Sequence, residues 1–154
     1  MTLNIGDKAP AFSMPTDGGG EVSLAGLKGR PVVLYFYPRD DTPGCTTEAC
    51  GFRDAMPDFS KVDAAIVGVS RDTVAKHDKF KAKYELPFTL GADETGAVTE
   101  AYGVWVEKSM YGRKSMGIER ATFLIDGGGV IRGIWRKVKV KGHVDEVLAA
   151  VNAL

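Results

Sequence analysis

Residues 31–45 read Pro31-Val32-Val33-Leu34-Tyr35-Phe36-Tyr37-Pro38-Arg39-Asp40-Asp41-Thr42-Pro43-Gly44-Cys45. The first seven form an unbroken apolar, β-branched and aromatic run, the pattern of a strand buried on both faces. The next eight interrupt that run with two prolines and a glycine and close on a cysteine. Thr42 is a good helix N-cap, and Pro43 suits the first helical position, where a missing N–H costs nothing. A buried strand that passes through a short loop into a capped helix is half of an α/β unit, and it places Cys45 in the first helical turn.

Working outward, a second buried run is Ala64-Ala65-Ile66-Val67-Gly68-Val69, with a helix expected over residues 43–60 between the two strands. Residues 73–84 carry Val74, His77, Phe80, Lys81 and Tyr84 at helical spacing, and 94–102 suggest another helix after a short strand. Ala121–Asp126 and Val130–Trp135 flank Gly127-Gly128-Gly129 and read as a hairpin. A last helix starts near His143, with Val144, Val147, Leu148 and Val151 on one face. Strands alternating with helices imply a parallel core, and the added hairpin makes the sheet mixed. The expectation is one thioredoxin-like α/β domain over residues 1–154, with a central mixed sheet flanked by helices. The Gly18–Gly20 and Gly127–Gly129 clusters lack the spacing of a phosphate loop and read as hairpin turns.

Bulk composition narrows the function classes. The 154 residues are 44% apolar and 26% charged, with 20 basic and 20 acidic side chains, so nothing favours nucleic acid or an anionic membrane surface. No stretch approaches the roughly 20 apolar residues of a membrane span. Met1-Thr2-Leu3-Asn4-Ile5-Gly6-Asp7 shows no leader pattern, so a reducing cytoplasm is expected. Two cysteines there are reactive or metal-bound more often than they are structural staples.

A cysteine at a helix start faces unpaired amides and the positive end of the dipole, which favour thiolate over thiol. The Thr42 hydroxyl is expected close to that sulfur, and Gly44 leaves room for a small oxidant. A thiolate so placed is a nucleophile that oxidises to a sulfenic acid. Cys50 is five residues on, and in an unbroken helix that separates the Cα atoms by about 8–9 Å, beyond the ~7 Å reach of a disulfide. Either the two never bond, or the helix start unwinds when they do. Two buried, inert thiols are the plain alternative. A structural zinc site wants four ligands, and His77 and His143 lack paired spacing. The Cys-x-x-Cys of thiol-disulfide oxidoreductases is absent.

Pro38-x-x-x-Thr42-x-x-Cys45 resembles the active-site signature of peroxiredoxins, and Asp41 through Cys50 is similar to the bacterioferritin comigratory protein, or PrxQ, subfamily. The likeness extends to Gly6–Phe12, Phe52-Arg53-Asp54, Gly68-Val69-Ser70 and Gly117–Asp126. The resemblance implies a thioredoxin-like fold and reduction of hydrogen peroxide and organic hydroperoxides with no cofactor. It implies Cys45 as the peroxidatic cysteine and Cys50, with no third cysteine in the chain, as the resolving one. It also implies that Pro38 shields the site, that Thr42 orients the peroxide, and that Arg120 favours the thiolate and polarises the O–O bond. Thioredoxin or a similar dithiol reductant and a monomeric state are expected from it. A redox sensor or a thiol-disulfide oxidoreductase on the same fold is the alternative.

Other features take the plainer reading. Arg136–Lys141 alternates charged and apolar residues, as a solvated strand edge does, with reductase docking as the other use. Trp105, Trp135, Tyr35 and Phe36 are assigned to the core. Glu48 reads as a surface acid, although the resemblance puts it near the active-site network; its charge opposes a thiolate unless Arg39, Arg53 or Arg120 compensates.

Overall fold

The computed structural model describes residues 2–154; Met1, which opens both the stretch read for a leader and the 1–154 span, lies outside them. In chain order the elements are β1 (Ser13–Pro15), β2 (Glu21–Ser23), β3 (Val32–Phe36), α1 (Pro43–Lys61), β4 (Ala65–Ser70), α2 (Val74–Tyr84) and β5 (Thr89–Ala92). There follow α3 (Ala97–Ala101), β6 (Trp105–Met110), β7 (Arg113–Ile118), β8 (Ala121–Ile125), β9 (Ile131–Trp135) and α4 (His143–Asn152). The central sheet has the order β5-β4-β3-β8-β9. β3, β4 and β5 run parallel, while β8 and β9 are antiparallel. This is the mixed sheet expected from the sequence, and β3 lies at its centre because its two faces are equally apolar.

All residues of β3, β4 and β8 are buried. Alternation along β3 divides the core in two. Val32, Leu34 and Phe36 pack with Val67, Val69, Tyr102, Phe123 and Ile125 on one side of the sheet. Val33, Tyr35 and Tyr37 face the other side, with Phe52, Phe59, Phe80, Val147 and Val151 from the helices. On α1 the buried residues are Cys45, Glu48, Ala49, Phe52 and Phe59, a stripe at helical spacing. Phe52 is its anchor, stacked on Tyr35 with ring centroids 4.7 Å apart.

The structure departs from the sequence reading in several places. The helix expected over 94–102 is shorter: the Asp93 carboxylate accepts the amides of Val98 and Thr99 at 3.2 and 2.8 Å, so helix begins only after the left-handed Gly96. The β6–β7 hairpin was not foreseen, because residues 111–116 are exposed and carry no apolar alternation. Its signal was the Tyr111-Gly112 pair, both at positive φ (52° and 76°), as a primed two-residue turn requires. Finally, Arg136–Lys141 is not a strand edge: β9 ends at Trp135 and the segment is a loop, with Lys137 at φ 48°. Tyr35 and Phe36 are core residues, while Trp105 and Trp135 are half-buried at its rim.

Gly68 sits opposite Tyr35 in the β3–β4 register. A Cβ there would come within 2.8 Å of Tyr35 Cζ and Oη, and both strands are too packed to give way. Gly68→Ala is expected to destabilise the protein by about 1–3 kcal/mol, the usual cost of overpacking, seen as a lower urea midpoint. An unchanged midpoint would contradict this packing.

Candidate active site

β3 delivers the chain to Pro38 at the carboxyl end of the sheet, where α/β folds place their chemistry. Thr42 is the N-cap of α1, with extended backbone (φ −94°, ψ 155°), and Pro43 follows in the first turn. Cys45 is therefore in that turn, as expected, and is only 1% exposed. Thr42 caps through its backbone alone. Its hydroxyl, expected near the sulfur, donates to the Arg39 carbonyl at 2.9 Å, which closes the loop before the helix.

Arg120 reaches the same place from another direction. The antiparallel register pairs Phe36 with Ala121, so the residue before β8 lies beside the end of β3. Arg120 Nη2 donates to Cys45 Sγ at 3.3 Å, and Nη1 donates to Glu48 Oε1 at 2.7 Å. Glu48 is fully buried, not a surface acid. Helical spacing explains this: Cys45 and Glu48 are three apart, so a residue on the buried cysteine's face is buried as well. Burial pushes the Glu48 carboxyl up to about 7 even though Arg120 acts in the opposite sense. Of the three arginines considered as compensating charges, only Arg120 is engaged with Glu48. Arg39 is exposed, and Arg53 is occupied by Asp54 and the Tyr84 carbonyl. Gly44 also acquires a reason, since a Cβ there would sit 3.1 Å from Arg120 Nη2. The missing side chain makes room for the guanidinium.

Cys50 is a free, half-buried thiol one and a half turns further along α1. Both cysteines lie in continuous helix, which keeps their Cα atoms about 8–9 Å apart. Pro38 and Thr42 line a groove of about 730 Å³ with Arg71, Lys76, Trp105 and Lys108. Lys108 comes from the unforeseen β6–β7 hairpin, and burial together with the Arg120 charge pulls its pKa down. The structure thus places Pro38, Thr42, Cys45 and Arg120 at one end of the sheet, and leaves Cys50 apart from them, further along α1. Among the described residues, no cluster of three or more His, Cys, Asp or Glu side chains is placed to hold a metal ion.

Residues 5–134 match the AhpC/TSA family. The chain belongs to that family. A putative peroxiredoxin bcp of Coxiella burnetii is 56% identical over 148 residues, covering 96% of this chain and 98% of the relative. Peroxiredoxin Bcp of Bacillus subtilis is 53% identical over 152 residues, with 99% and 97% covered. A solved structure of the bacterioferritin comigratory protein of Xanthomonas campestris is 46% identical and superimposes with a TM-score of 0.89 over 92% of this chain and 90% of that one. The resemblance read from Asp41–Cys50 is therefore correct: the chain is a peroxiredoxin of the bacterioferritin comigratory type, with the thioredoxin-like fold, and an enzyme of the thiol peroxidase class.

Within this peroxiredoxin the Glu48 carboxyl has a signature in stability. Its pKa in the fold, about 7, lies above the ordinary 4.5. Between those values the folded protein holds the proton more tightly than the unfolded chain, so this group's contribution to stability falls as pH rises. Glu48→Gln is expected to flatten that fall in urea unfolding midpoints taken from about pH 4.5 to about 7. An unaltered slope would assign the titration to another group.

Proposed function

We propose that this peroxiredoxin reduces hydrogen peroxide and organic hydroperoxides, with Cys45 as the nucleophile. The observation that carries the reading is the bond from Arg120 Nη2 to Cys45 Sγ at 3.3 Å, a cation held on a sulfur at a helix start. A thiolate there attacks the terminal oxygen of ROOH. The O–O bond breaks, Cys45 keeps the terminal OH as a sulfenic acid, and the departing RO− takes a proton from solvent, the one the thiol gave up, and leaves as ROH. The Arg120 guanidinium stabilises negative charge on the sulfur and on the departing oxygen. Because the Thr42 hydroxyl donates its hydrogen bond to the Arg39 carbonyl, its lone pairs are available to accept from the hydroperoxide O–H. Pro38, half-buried at the groove, limits water. The relative from Xanthomonas campestris, described for its alkyl peroxide reduction activity, supports hydroperoxides as the substrate class.

Cys50 then attacks the Cys45 sulfenic sulfur, forming an intramolecular disulfide and releasing water. A dithiol reductant, thioredoxin or one like it, returns both thiols and becomes a disulfide itself. Every group in the cycle comes from one chain, which suits a monomer acting as one domain over residues 1–154. Free thiols suit a reducing compartment, the cytoplasm. No helix among the described residues is long and apolar enough to cross a membrane.

Cys45→Ser is expected to abolish turnover of hydrogen peroxide with thioredoxin and its reductase, while wild type consumes many equivalents. Residual turnover would move the nucleophile elsewhere, and a wild type that stops after one equivalent would make the protein a sensor.

Oxidation must also unwind the start of α1, since about 8–9 Å of helical separation exceeds the ~7 Å limit of a disulfide. Amides of residues 43–52 are expected to exchange faster in the oxidised protein, while Val32–Phe36 stay protected, and mass spectrometry is expected to find a Cys45–Cys50 link. A link formed with the segment still protected would contradict the unwinding.

A further inference from the structure

His77 lies on α2 and is fully buried. Its Nδ1 is 2.6 Å from Asp40 Oδ2, and its Nε2 is 2.9 Å from the Gly91 carbonyl oxygen. A carbonyl can only accept. Asp40 also accepts the Tyr37 hydroxyl on its other oxygen. Both ring nitrogens therefore face acceptors, and an imidazolium beside a carboxylate gives every proton a partner while pairing two buried charges. The groups that face the ring are Asp40 from the loop, Tyr37 from the end of β3, Gly91 from β5, and Asp72 from the turn before α2. Lys76, on α2 itself, stands 3.9 Å from Asp72. Burial works against the charge on His77, but Asp40, the Gly91 carbonyl and Asp72 outweigh it and raise its pKa above the ordinary imidazole value.

Asp40 is two residues before the N-cap of the cysteine helix. Its side chain is tied to α2 and β5 through His77, and its amide donates to Asp72 Oδ2 at 2.8 Å, an oxygen that also takes the Ser70 hydroxyl at 2.7 Å. The neighbouring Asp41, at φ 57°, reaches Lys83 and Tyr84 of α2. Those contacts are exposed and contribute little. The buried ties of the loop from β3 to α1 are the Asp40 amide on Asp72 and the His77–Asp40 pair, and only the second joins it to α2 and to β5.

We infer that His77 is a positioning residue for the peroxidase site: as an imidazolium it holds Asp40, and through Asp40 it keeps Thr42 and Cys45 in their peroxide-reactive places. This rests on the reading of Cys45 as the nucleophile. Because the ring's pKa is raised in the fold, its hold is complete below the ordinary value of about 6.5 and is lost as pH rises through the higher one. The rate of Cys45 oxidation then falls on the alkaline side for a reason unconnected with the sulfur.

The test uses the full-length reduced chain. The protein has two histidines, and His143, bonded to Thr122, has its pKa pulled down to about 4 by burial and by Arg120, so imidazole nitrogen NMR separates them. At pH 7 His77 is expected to carry protons on both nitrogens and His143 on one; a neutral His77 overturns the inference. His77→Leu is expected to slow the second-order reaction with hydrogen peroxide about tenfold near neutral pH, the scale of one lost charge-assisted hydrogen bond, and to lose the alkaline fall. Asp40→Asn keeps both bonds with a neutral ring, the amide donating to Nδ1 and Nε2–H to Gly91. It is expected to recover most of that rate and to show no alkaline fall. Wild-type rates and profile in His77→Leu overturn the inference. Should that variant not fold, an Asp40→Asn profile that retains the wild-type alkaline fall does the same. The nitrogen spectra need no peroxide, so a neutral ring sinks this inference alone, while turnover surviving in Cys45→Ser sinks the choice of nucleophile and leaves the state of the ring as found.

Discussion

Arg120 donates one Nη to the Cys45 sulfur and the other to Glu48, and a carboxyl as deeply buried as Glu48 persists only against a cation of fixed geometry. Removing one member of such a pair typically costs about 3–5 kcal/mol, because the other is left buried and uncompensated. Much of the local structure serves this triangle. The β3–β8 register brings Arg120 to the end of β3, helical spacing puts Glu48 beneath Cys45, and Gly44 leaves the space that the guanidinium fills. The triangle also divides itself: Glu48 draws on the same positive charge that is held on the Cys45 sulfur. Its raised pKa, which burial drives, limits that competition, since a carboxyl neutral part of the time takes less from Arg120.

The site must be rigid for one step and yielding for the next. The proposed peroxide attack needs Thr42, Cys45 and Arg120 in register, and the proposed disulfide needs the first turns of α1 to open. The fold separates these demands along the helix. Ahead of the cysteine, the loop is fastened to α2 through Asp40 and His77. Behind it, Phe52 is packed against Tyr35 at 4.7 Å. The segment between them carries Gly44, two exposed or half-buried threonines and few buried side chains besides Cys45, Glu48 and Ala49. Local opening draws on stretches with little buried apolar surface, and this one lies between two firm anchors.

Much of this was legible in residues 31–50. A seven-residue apolar run rich in β-branched and aromatic residues reads as a strand covered on both faces, and Thr42-Pro43 suits a helix start, so strand, helix start and the place of Cys45 follow from local chemistry. The mixed sheet and the late hairpin follow from periodicity and glycine turns in the same way. Local signals failed where an element is largely exposed and carries no apolar alternation, as at the tip of β6–β7, or where a single side chain resets a boundary, as Asp93 does for α3. What tertiary structure alone decided is which distant groups meet. In sequence Arg120 is a charged residue before a strand, Glu48 an acid on a helix, and Asp40 and His77 are 37 positions apart. Composition, spacing and propensity describe each residue against its chain neighbours. The charge pairs of this site are set by strand register and helix docking, which bring together residues the chain itself keeps apart.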